Sequence, residues 1–144
     1  PMFLISGPKL VIECCKNGII GTFPALNQRT TEGFEQWIIE IKTALKEFES
    51  ETGKKAAPFG VNLIVHQTNP RVQADLAICI KHQVPLIITS LGAVPQLVGA
   101  VHSYGGMVFH DVIKFDSIKE LKSFKICELR CLDLSFRWTV LKVQ

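Results

Sequence analysis

Four short apolar runs set the terms on which this chain can fold. GIIGTF (18–23), GVNLIV (60–65), PLIITS (85–90) and GMVFH (106–110) hold their large apolar residues side by side instead of alternating them with polar ones, as strands do when both faces of a sheet are covered. Gly, Pro or Asn bounds each run and amphipathic stretches separate them, so the chain predicts strand and helix units of a parallel sheet. PMFLI (1–5) predicts the end of one further strand. With 144 residues, 47% of them hydrophobic and 20% charged, one domain with a real core is expected.

The helices between these runs have readable starts. Pro8 opens the first, Thr30 or Thr31 caps the second, Asn69-Pro70 starts the third, Pro95 the fourth and Asp116 a fifth. Proline suits a first helical turn, and short polar side chains satisfy its free N–H groups. The second helix is the clearest. Phe34, Trp37, Ile38, Ile41, Leu45 and Phe48 recur at three- and four-residue steps on one stripe, read as a face packed on the sheet, and Gly53 is the natural stop.

Composition removes several function classes. Sixteen Lys and Arg stand against 13 Asp and Glu, a net charge of +3 with the signs interspersed, which gives nucleic acid little to hold. No apolar stretch reaches the length of about 20 residues that a membrane-spanning helix needs. Most of the five cysteines, at 14, 15, 79, 127 and 131, sit in apolar runs, which predicts core packing in a reducing, cytoplasm-like compartment. Cys127 and Cys131, four apart, suit one helical face but complete no metal site. The start, Pro-Met-Phe, has neither a basic region nor a cleavage-like site, so no secretion signal is expected.

Such a series builds either an open doubly wound sheet or part of a closed (β/α)8 barrel, and in both the chemistry gathers at the carboxyl ends of the strands. Those ends carry Ser6-Gly7, Thr22, His66, Thr89-Ser90 and His110-Asp111. The phosphate-binding patterns GxGxxG and GxxxxGK[ST] are absent, which favours the barrel segment. His110 has the intrinsic pKa of a base; the competing reading, preferred here, is a rim histidine bonded to backbone or to Asp111. His66 is placed to face a pocket, His102 to pack or lie at the surface, and His82, beside Lys81, to meet the last carbonyls of its helix.

The run PMFLISGPKLVIECCKNGIIGTFPALNQRT, followed by FGVNLIVHQTNPRVQADL, VPLIITSLG and GGMVFHDV, resembles the nitronate monooxygenases, formerly called 2-nitropropane dioxygenases. The likeness covers roughly residues 1 to 123. It implies a TIM barrel with FMN as cofactor, oxidising alkyl nitronates with O2. The chain would then be a partial (β/α)8 barrel of about the first five β/α units over 1–123, with a divergent tail over 124–144. The resemblance places Pro1, Met2 and Phe3 at the end of the first strand against the flavin ring, and Asn62 within reach of FMN. It also places Asp111 in the cofactor region, where some members have lysine. A carboxylate there cannot stabilise an anionic reduced flavin or a phosphate.

The family's AGGH-like catalytic loop and the glycines that grip the FMN phosphate have no counterpart here, since the last glycine is Gly106. The expectation is therefore a nitronate monooxygenase-like chain with no assigned catalytic residue and no turnover on its own. Two alternatives stand beside it: a non-catalytic half-barrel that associates with another chain, and a related flavin-dependent enoyl thioester reductase. An unclosed sheet edge predicts self-association, and the β-rich FRWTVLKV predicts a makeshift strand in the tail.

Overall fold

The computed structural model describes residues 1–92, 95–112, 128–132 and 138–142. Its elements run α1 (Pro8–Lys16), β1 (Thr22–Pro24), a 3-10 turn (Ala25–Asn27), α2 (Thr31–Thr52), β2 (Gly60–Ile64), α3 (Val72–Lys81), β3 (Leu86–Ser90), α4 (Pro95–Ser103), β4 (Met107–Val112), β5 (Glu128–Leu132) and β6 (Trp138–Lys142). One six-stranded sheet has the order β1-β2-β3-β4-β5-β6. The strands from β1 to β5 are parallel, and β6 returns antiparallel on β5.

This order decides between the two architectures left open by the sequence. A doubly wound sheet reverses its strand order at a switch point. Here each parallel strand lies beside its predecessor, and right-handed crossovers then put every connecting helix on the same face. The result is α/β, a partial (β/α)8 barrel. Helix α1 packs on α2, α2 on α3 and α3 on α4. The core lies between those helices and the sheet face carrying Phe23, Val61, Leu63, Ile87 and Val108, all at most 2% exposed.

Local chemistry explains where the elements stop. Thr30 Oγ1 accepts from the Gly33 N–H at 3.0 Å to cap α2, and Gly53 ends it at φ 67°, a left-handed conformation that glycine adopts without penalty. The third helix begins at Val72 rather than at Pro70. Asn69 Oδ1 accepts from the Arg71 N–H at 3.0 Å, and this side-chain turn takes the place of a first helical turn.

Two strand expectations are corrected. Residues 1–5 form a turn, not a strand: Ile5 and Ser6 N–H return to Met2 O, Leu4 N–H donates to Asn27 Oδ1, and Asn27 Nδ2 donates to Met2 O and Ser6 O. These backbone groups are satisfied within the turn and by the distant Asn27 side chain, and leave no ladder to form. Leu4 accordingly sits at φ 61°. The second strand begins at Thr22 because residues 17–19 close the end of α1, with Gly18 and Ile19 N–H bonded to Cys15 O and Cys14 O. Gly21 then passes so close to α1 that a Cβ would lie 2.6 Å from Val11 O.

Cys15 and Cys79 are buried as expected. Burial holds both thiols above their ordinary pKa, so they pack and do not act as nucleophiles. Cys131 lies on β5, which removes the helical face expected for Cys127 and Cys131. Within FRWTVLKV, β6 supplies the expected extra strand. The helix expected from Asp116 lies outside the described residues.

An ionic cluster joins α2 to α3. Glu35 Oε1 meets Lys81 Nζ at 2.8 Å and His82 Nε2 at 2.7 Å, and Lys42 Nζ donates to His82 O at 2.9 Å. His82 is the C-cap residue of α3, but its ring, expected to meet the last carbonyls of that helix, reaches across to Glu35 of α2 instead. Hydrogen bonds from Lys81 first, then His82, hold the Glu35 carboxyl below its ordinary pKa. A depressed carboxyl contributes stability that is present above the unfolded value of about 4.3 and lost as pH falls through the folded one. Glu35→Gln should therefore flatten the acid limb of the stability profile below about pH 4.3, as read by urea midpoints across that range; an unchanged limb would refute the linkage.

Candidate functional site

The sheet's pleat sorts the residues at the carboxyl ends of the strands. Asn62 stands in register with Ile88, and Ile88 with Phe109, so these share one face. Ser90 and Asp111, each two residues further on, lie on the same face. Thr89 is in register with His110, and both belong to the opposite face with Val108 and Ile87, against the helices.

On the first face three polar side chains form a string across three strands. Asn62 Nδ2 donates to Ser90 Oγ at 2.7 Å and to Ile88 O at 3.2 Å, and Ser90 Oγ donates to Asp111 Oδ2 at 2.8 Å. Asn62 is buried, and Ser90 and Asp111 are half-buried. Each hydrogen bond fixes the next group, so the carboxylate is oriented by a chain that starts on β2. Chemically this is an aimed acceptor next to a hydroxyl, on the concave side of a barrel segment.

His110 does not join it. Its Nδ1 is hydrogen-bonded to Thr89 Oγ1 on the helix-facing side, and the residue is 4% exposed. Burial lowers its pKa, with the Asp111 charge opposing, so the imidazole is neutral near pH 7. The adjacent pair His110-Asp111 therefore points to opposite faces. The reading of His110 as a rim histidine bonded to backbone or to Asp111 is corrected: it is buried with Thr89 as its side-chain partner, and the partner of Asp111 is Ser90. His66 is exposed beyond β2 and bonded through Nδ1 to Thr68 Oγ1 at 2.9 Å. His102 is half-buried on α4, as a packing residue.

Pro1, Met2 and Phe3 lie in the N-terminal turn. Asn27, which ends the 3-10 turn after β1, pins that N-terminal turn near the carboxyl end of the strand, and Pro24 of β1 is in register with Asn62. The turn therefore belongs to the same rim as the polar string, with Met2 and Phe3 52% and 64% exposed. Sequence reasoning missed Asn27, because a single asparagine after a strand looks like any loop residue. The loop after β3 shows strain at this rim as well: Leu91 has φ 62°. Such conformations collect around functional loops.

A flat ring needs apolar contact and a few placed hydrogen bonds, and Met2, Phe3 and Asn62 suit that. A phosphate needs closely approaching amides or a cation. No glycine follows Gly106; on the Asn62 face the described positions of β1 to β4 carry no basic residue, while Arg130 of β5 is in register with Asp111. The described residues at the ends of β1 to β4 thus suit the ring of a flavin nucleotide better than its phosphate.

No protein-family model matches the chain, and no curated protein sequence does. Solved structures do. Nitroalkane oxidase from Streptomyces ansochromogenes superposes with a TM-score of 0.72 at 18% identity over 90% of this chain and 43% of its own. FabK from Thermotoga maritima superposes with a TM-score of 0.70 at 17% identity over 86% of this chain and 36% of its own. At these identities the likeness is one of fold. The chain spans less than half the length of either structure.

Proposed function

We propose that this chain is the ring-contacting portion of an FMN-dependent oxidoreductase of the nitronate monooxygenase kind, without turnover as it stands. The observation that carries the reading is the Asn62–Ser90–Asp111 string on the concave face at the strand ends, in a fold that superposes on a nitroalkane oxidase. The motif resemblance over residues 1 to 123 adds the choice of cofactor. FMN, when bound, would supply the redox chemistry, and an alkyl nitronate and O2 would be the reactants. Met2 and Phe3 would give apolar contact and Asn62 a polar one. Ser90 holds the Asp111 carboxylate in one orientation, where it can accept a hydrogen bond or a proton. His110 takes no part, because it faces the helices.

A non-catalytic half-barrel that associates with another chain is a second reading. A flavin-dependent enoyl thioester reductase remains the alternative within the same fold.

Flavin binding separates these readings. If only the ring is held, riboflavin and FMN should quench equally, with dissociation constants within about threefold of each other, since the phosphate adds no contact. Asn62→Leu should weaken both about tenfold, the loss of one hydrogen bond of about 1.4 kcal/mol. Nitronate-dependent oxygen uptake should be absent. FMN binding far tighter than riboflavin would reveal a phosphate grip and sink the ring-only assignment. Binding of neither flavin would leave the half-barrel reading.

A further inference from the structure

At the end of the sheet opposite the polar string, α2 and the loops that enter β2 and β3 enclose a groove of about 340 Å³. Its floor is apolar: Leu45 and Phe59 are buried, and Ala56 and Pro85 are half-buried. Its rim is basic. Lys42 and Lys46 stand about one turn apart on α2, and Lys55 lies on the loop into β2, all three exposed. All of these walls lie away from the β1 edge.

Charge says what such a groove takes. Like charges four residues apart on a helix repel, and among the described residues no carboxylate lies within ion-pair distance of any of the three amines. Lys42 Nζ donates to His82 O at 2.9 Å, which leaves two of its three N–H donors for another acceptor. Glu49, the one acid on the wall, accepts from the Ala56 N–H through Oε1 at 2.9 Å. It braces the loop against α2. An anion seated among the lysines would relieve their repulsion. A small hydrated anion would leave the apolar floor wet, and a neutral apolar guest would leave the amines unmet.

We infer that this groove binds a small amphipathic carboxylate, with a medium-length alkyl chain on the Leu45–Phe59 floor and the carboxylate among Lys42, Lys46 and Lys55. The volume lies at the lower end of small-molecule sites, about 300–1,000 Å³, which suits one short chain. The lysine stems extend the apolar wall while their amines reach the head group. The inference does not rest on the flavin reading, because the groove and the Asn62–Ser90–Asp111 string lie at opposite ends of the strands.

The test uses the full chain with octanoate, and with acetate and 1-octanol as probes that lack the chain or the charge. Binding is followed by NMR at the Lys55 and Ala56 amides. Octanoate should shift both and saturate below about 1 mM, with acetate and 1-octanol each at least about tenfold weaker. Lys46→Glu should weaken octanoate about tenfold, with Lys55→Glu in its place if that variant does not fold. Lys9→Glu on α1 changes the net charge equally and should leave the affinity within about twofold. Salt should weaken octanoate several-fold, because the amines are exposed. Unmoved amides at about 5 mM octanoate would overturn the inference. Equal affinity for acetate would make the groove a charged patch, equal affinity for 1-octanol an apolar one, and an equal loss in Lys9→Glu a net-charge effect; each would overturn it too.

Discussion

Asp75→Ala is expected to lower stability by about 3–5 kcal/mol, the usual consequence of removing one partner of a buried charge pair. Asp75 is 1% exposed. Its Oδ1 accepts from Arg71 Nη2 at 3.1 Å and from Thr31 Oγ1 at 2.9 Å, while Arg71 Nη1 donates to Gln28 O at 2.6 Å. The pair therefore ties the start of α3 to the loop that carries the chain from β1 into α2, beside the candidate site. Its hydrogen bonding is incomplete, with Asp75 Oδ2 and Arg71 Nε buried and without partners. That makes the intact pair a weak net stabiliser, and its breakage costly.

The double variant Arg71→Met, Asp75→Leu decides the point. It removes both charges and fills the space, so its urea midpoint should return close to that of the parent chain. A double variant as unstable as Asp75→Ala would mean that the bonds to Gln28 and Thr31, not the stranded charge, carry the effect.

Phe23→Ala should cost a comparable amount, about 3–5 kcal/mol. The Phe23 side chain is fully buried where β1 meets α2, with ring centroids 6.0 Å from Phe34 and 5.7 Å from Trp37 in tilted and edge-on arrangements. Truncation removes both ring contacts and leaves a cavity beneath a three-residue edge strand. Phe23→Leu keeps most of the volume and should lose much less. Similar midpoints for the two variants would show that the site collapses around the smaller side chain.

These positions show what a sequence can and cannot convey. The stripe from Phe34 to Leu45, the Thr30 cap, the Gly53 stop and the apolar runs of β2, β3 and β4 were all legible, because each depends on contacts within a few residues. The spacing of Arg71 and Asp75, four apart on one helix, was visible too, although their burial was not. Asn62 entered through the resemblance, Asp111 first as a strand end and then through the resemblance, and Ser90 only as a strand end. What joins the three is strand register, which arises between segments more than 20 residues apart.

The amino-acid order by itself determined β2, β3 and β4, the helices α1 to α4 and the parallel sense of that part of the sheet, because periodicity and capping act locally. Only the tertiary structure decided that Asp111 faces the concave side while His110 turns to the helices, since the pleat assigns neighbouring residues to opposite faces once the pairing is set. It alone, likewise, folded Pro1–Ile5 into a turn: the amide of Asn27, distant in the chain, takes up the backbone groups that a strand would have used.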